Sequence, residues 1–134
     1  MKMTIDKTNA DIINTKDVYL HDDVLLSLDF DRSTKILRLE IKKNMSQKKY
    51  VVEFINVIGF SMTACDFWGS SERIYCFEFV ESEERKLIPI LKNEWSAQKS
   101  QEDLFLYDDY IETVLWFISG DKLRIASEKI VFSD

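Results

Sequence analysis

The chain has 134 residues, with 18 Lys and Arg against 24 Asp and Glu, one His, and a formal net charge of −6. That length is one domain, enough to bury about two-thirds of the surface its unfolded form exposes. The acidic balance excludes general nucleic-acid binding, which rests on Lys and Arg neutralising phosphates; no run approaches the roughly 18 apolar residues of a spanning helix, and the opening MKMTIDKTNADII lacks the apolar core of a signal peptide, so a cytoplasmic protein is expected.

Residues 1–17 are polar with weak periodicity and predict a flexible arm or short helix ahead of a single β-rich domain over 18–134. From residue 18 the pattern has period two. Val24, Leu26, Leu28 and Phe30 alternate with Leu25, Ser27 and Asp29, and Leu37, Leu39 and Ile41 alternate with Ile36, Arg38, Glu40 and Lys42. Asp31-Arg32-Ser33-Thr34 joins the two runs, so they read as a β-hairpin. Residues 50–58 (YVVEFINVI) are β-branched and aromatic, which suits a central strand covered on both faces. A turn over 66–71 leads to a strand over 73–80, with Tyr75, Phe77 and Phe79 on one face and Cys76 in the core.

Leu87, Ile90, Leu91 and Trp95 then recur at helical spacing, with Ser82 as a cap and Glu83 and Glu84 at the helix N-terminus. Pro89 is tolerated only in a first turn, so the helix starts near Ile88, or else a strand occupies 86–91 and a shorter helix follows. Residues 110–118 (YIETVLWFI) form a strand, Ser119-Gly120-Asp121 a tight turn, and Lys122 to Ala126 the return, with Leu123 and Ile125 on one face. Ile130, Val131 and Phe132 add a last short strand. The expected fold is mainly β with a minor α part: an antiparallel curved sheet or partly open barrel of six to eight strands, with one helix around residues 83–98.

Motif chemistry is sparse. Three Gly leave no phosphate-cradling loop, and a single His excludes HExxH and paired-His relays. Cys65 and Cys76 match no zinc or redox spacing and read as reduced thiols. Asp29 to Glu40 (DFDRSTKILRLE) has acidic residues at EF-hand spacing, but Thr34 stands where the loop's sharp turn needs Gly, and the flanks alternate as strands. No metal and no cofactor is expected.

The most distinctive polar cluster is His21-Asp22-Asp23. A His beside carboxylates suits a base or a metal ligand, while the plainer reading is a loop end hydrogen-bonded to backbone. Phe67 and Trp68 sit in a turn, where aromatics either anchor an interface or fold back over the sheet. Glu102, Asp103, Asp108 and Asp109 surround Leu104-Phe105-Leu106-Tyr107. That stretch suits a basic partner, or a solvated loop around a short edge strand.

Leu20-His21-Asp22-Asp23, an alternating strand, and then Glu53-Phe54-Ile55-Asn56-Val57-Ile58-Gly59-Phe60 resemble a group of small bacterial β domains over residues 18–128. The group includes YxiG-like domains and proteins similar to immunity proteins of polymorphic toxin systems. The resemblance implies a cytosolic bacterial protein that binds and neutralises a toxin domain, and it implies no catalytic residues. The function expected is therefore a non-enzymatic protein-binding module that occludes a basic toxin partner, with Phe67, Trp68, Glu102, Asp103, Asp108 and Asp109 as its surface. The alternatives are a β-barrel carrier of a small molecule and a subunit of a larger assembly.

Overall fold

β3 (Ile36–Lys42) shows the alternation most plainly: Leu37, Leu39 and Ile41 are buried, while Arg38 between them is exposed. The computed structural model describes residues 2–15, 18–63 and 73–134, so the expectations for Cys65, Phe67 and Trp68 lie outside the described residues. The other strands are β1 (Lys2–Ile5), β2 (Val24–Asp31), β4 (Lys49–Ile55), β5 (Gly59–Met62), β6 (Ile74–Phe79), β7 (Ile111–Phe117), β8 (Lys122–Ser127) and β9 (Lys129–Ser133). Helices α1 (Leu87–Trp95) and α2 (Gln101–Phe105) lie between β6 and β7.

The fold is mainly β with a minor helical part, and among the described residues the strands form two antiparallel sheets that do not close into a barrel. The first sheet has the order β1-β9-β4-β3-β2 and the second β5-β8-β7-β6. Two strand pairs turn the corner between them: β4 pairs with β9 in the first sheet, and β5 with β8 in the second. The corner is stitched where the Glu128 N–H donates to the Ile55 carbonyl and the Ile58 N–H to that of Ala126, both at 3.0 Å. On the opposite side Val24 bridges Arg73. Inner-face residues of both sheets, among them Leu39, Phe54, Ile74, Leu115 and Ile125, meet in one buried core.

Several expectations are corrected. Within the segment expected as a flexible arm or short helix, residues 2–15 are docked: β1 pairs along β9, and Ile5, Ala10 and Ile13 are buried, the last two through a short 3-10 helix over Ala10–Asn14. Anchors spaced five and three residues apart make no regular period. β1 and β5 bring the strands among the described residues to nine, above the expected six to eight. β4 lies at the centre of its sheet but buries only Tyr50, Val52 and Phe54, leaving the other face half-buried.

Bulges shift the phase of both strands at the Val24–Arg73 junction. In β2 the register slips between Leu25 and Ser27, so Leu25, Leu28 and Phe30 pack on the core and Leu26 is 43% exposed. In β6 it slips between Ile74 and Cys76, so Ile74 and Phe77 face inward, Tyr75 faces water and Cys76 is only half-buried.

Candidate functional site

The chain leaves the sheets between β6 and β7, and Glu112 on β7 determines how it returns. Its neighbours Ile111 and Thr113 alternate with it along the strand, and Glu112 itself is fully buried. One carboxylate oxygen accepts from the N–H groups of Leu87 (3.0 Å) and Ile88 (2.9 Å). The other accepts from the Lys86 N–H (2.9 Å) and from Arg124 Nη1 (2.6 Å). Burial pushes the Glu112 pKa up, but the three backbone donors and Arg124 outweigh it and hold the carboxyl below its ordinary value. α1 is thus capped by a strand residue 24 positions beyond Ile88 rather than by a side chain at its own N-cap. Ser82, Glu83 and Glu84, the expected cap and first turn, form a separate 3-10 turn.

Pro89 is the third residue of α1, where its missing N–H has no partner to lose. α1 lies against β5 and β8 because Gly59 has no side chain: a Cβ there would stand 2.6 Å from Leu91 Cδ1. Arg85 closes the base of the excursion, donating to the Tyr110 carbonyl at 2.8 Å and the Asp108 carbonyl at 3.4 Å.

The acidic stretch is helical, not a loop around an edge strand. Ser100 caps α2, its Oγ accepting from the Asp103 N–H at 3.2 Å. Glu102 and Asp103 occupy the first turn, exposed, where the helix dipole favours negative charge. Leu104 points inward, while Phe105 and Leu106 are 58% and 66% exposed. Asp108 and Asp109 lie in the following 3-10 turn and are paired, with Lys92 and Lys7 respectively, each at 2.5 Å. The Lys92 ammonium also stands 5.9 Å from the Phe105 ring centroid.

His21-Asp22-Asp23 lies at the other end of β6 and divides by direction. His21 Nδ1 is 2.7 Å from the Tyr75 carbonyl oxygen, which makes Nδ1 the protonated donor, and Nε2 is 3.5 Å from Asp22. The His21 ring lies between those of Tyr19 and Tyr75, 5.9 and 5.8 Å away. Asp22 takes a left-handed backbone (φ 67°). Asp23 turns inward and accepts from the Tyr50 hydroxyl (2.7 Å) and the Asn44 N–H (2.9 Å). A surface cleft of about 380 Å³ brings His21 alongside Cys76 and Glu78. Burial, and then the Glu78 charge, push the Cys76 thiol pKa up, away from the thiolate a nucleophile needs.

Sequence reasoning missed Glu112, Arg85 and Arg124. The available signal was Glu112 as the one acid in the apolar run 110–118. Among the described residues no three His, Cys, Asp or Glu side chains group to hold a metal, and no helix is long and apolar enough to cross a membrane.

No protein-family model and no curated protein matches the chain. Among solved structures it is similar to the crystal structure of an uncharacterized protein from Neisseria gonorrhoeae, at 16% identity over 100% of this chain and 98% of that one, with a TM-score of 0.54. That likeness is one of fold.

Proposed function

We propose that the chain is a non-enzymatic, cytoplasmic protein-binding module, and that its binding surface is the exposed side of the excursion between β6 and β7. The carrying observation is Phe105 and Leu106, apolar and exposed, next to Glu102 and Asp103. An apolar centre with a charged rim is the ordinary anatomy of a protein interface, and net negative charge speeds encounter with a basic partner. An immunity-type role, in which this surface occludes a toxin domain, is the specific form of the reading. The residues that carry the resemblance belong to the fold rather than to a binding surface: Asp23 and Phe54 are buried, and Asn56 lies at the corner between the sheets with a left-handed backbone. The carrier alternative needs an apolar interior, whereas the inner faces of the sheets meet in one core of buried side chains.

The test compares tagged wild type with the Phe105→Ala/Leu106→Ala and Glu102→Lys/Asp103→Lys variants, each mixed with lysate of the source strain. The expected result is a stoichiometric basic protein that wild type retains and both variants release. Equal retention by all three, or no retained protein, overturns the reading.

A further inference from the structure

A second surface carries an inference independent of the protein-binding reading. Trp95 at the end of α1, Tyr107 in the 3-10 turn and Tyr110 beyond it make a wall of aromatic rings with centroids 5.3 Å apart at each step, inclined 55° between Trp95 and Tyr107 and edge-to-face at 81° between Tyr107 and Tyr110. They line a cleft of about 340 Å³, at the small end of ordinary ligand sites. Its other side is built by the β2–β3 turn and the β4–β5 corner, which supply Lys35 and Asn56 above the buried Val57.

Two features point to a ligand, and a third fixes the loops that face it. The first is charge. The chain is acidic overall, yet the charged side chains lining this cleft are Lys35 and Lys99. Among the described residues neither has a carboxylate partner. Glu128 lies near Tyr110, but its Oε1 accepts from the Asn56 amide at 3.2 Å. The second is the Lys99 ammonium, which stands 6.0 Å from the Trp95 ring centroid. It puts a positive charge over one face of Trp95, so the wall disfavours a cationic guest and suits an anionic one. The third is backbone strain. Lys35 (φ 60°) and Asn56 (φ 53°) both take left-handed conformations, and the Val57 N–H holds the two loops together by donating to the Lys35 carbonyl at 2.9 Å. Asn tolerates that region and Gly prefers it, whereas Lys does not. Asp22 and Met45 take the same conformation elsewhere, so the part of that conformation here is to fix the turn that presents Lys35 to the cleft.

We propose that this cleft binds a small planar anion of the nucleotide type, with its ring against the Tyr107 ring beside Trp95 and its phosphate held by Lys35 and Lys99.

The test uses three probes on the intact chain: adenosine monophosphate, adenosine, which lacks the anion, and ribose 5-phosphate, which lacks the ring. Binding is read by titration calorimetry and by quenching of Trp95 fluorescence, with Trp95→Phe identifying the emitting residue. The expected result is saturable binding of the monophosphate, with both part-ligands weaker by about tenfold or more, the scale of one lost charge-assisted hydrogen bond or base stack. Lys99→Ala and Lys35→Gly should each weaken the monophosphate about tenfold. Lys35→Gly should do so with Tm unchanged or raised, because glycine relieves the left-handed turn; a purely structural role for Lys35 predicts no change in binding. Equal affinity for the monophosphate and adenosine, unchanged affinity in both lysine variants, or no saturable signal at about 10 mM monophosphate, above a Kd of about 1 mM, overturns the proposal.

Discussion

Asp23 and Glu112 are both carboxylates removed from water, and both fasten a distant segment to a strand, yet they rest on different partners. Asp23 accepts from a phenol and one backbone N–H, and its nearest cation, Lys43 at 3.9 Å, has a half-exposed side chain. Glu112 accepts from three N–H groups of a helix N-terminus and from Arg124, which is itself largely buried. The contrast teaches that the cost of losing a buried carboxylate depends on how far its partners are from water. Lys43 can be rehydrated when Asp23 is removed. The Arg124 side chain is only 13% exposed and the first turn of α1 donates its hydrogen bonds to Glu112 itself, so both lose more when that carboxylate goes.

The sharpest test of that contrast is Glu112→Gln. It keeps the shape, removes the charge and leaves the Arg124 guanidinium buried without its counter-ion. A loss of about 3–5 kcal/mol is expected in urea denaturation, while a loss under about 1 kcal/mol would mean that water reaches the helix end. The same residue sets an acid limb. The Glu112 carboxyl is depressed in the folded chain from an ordinary value of 4.5. Its stabilisation is therefore complete above that pH and disappears as pH falls through the lower folded value. The stability gap between wild type and Glu112→Gln should close over that acid window, as measured by denaturation curves at successive pH values.

At the other carboxylate, Tyr50→Phe removes one donor from Asp23 and should cost about 1.5–3 kcal/mol, less than Glu112→Gln. An equal cost would erase the distinction. Burial and the Asp23 hydrogen bond push the Tyr50 phenol pKa strongly upward, so in an alkaline absorbance titration it should stay protonated until the chain unfolds. The smallest effect is expected where both partners are wet. Charge reversal at Asp108 and Asp109 breaks exposed pairs with Lys92 and Lys7, and should change stability by at most about 1 kcal/mol. The same change should slow association with the basic partner proposed above, and stopped-flow kinetics would separate the two effects.

What the sequence determined by itself was local. Alternation in 36–42, the turn at Ser119-Gly120-Asp121 and the apolar return through Leu123 and Ile125 were legible, because a strand's period of two and a turn's chemistry are written in neighbouring residues. Pro89 likewise marked the first turn of α1. The exposure of Glu102 and Asp103 followed from their charge, but Asp108 and Asp109 looked the same in sequence and proved to be paired. Only the tertiary structure decided that Leu26 and Tyr75 face water, since a one-residue bulge reverses every side chain beyond it without changing the local pattern. Only the tertiary structure put Glu112 under α1 and Lys35 opposite Trp95, because those partners lie 24 and 60 positions apart and meet only when both sheets turn their shared corner.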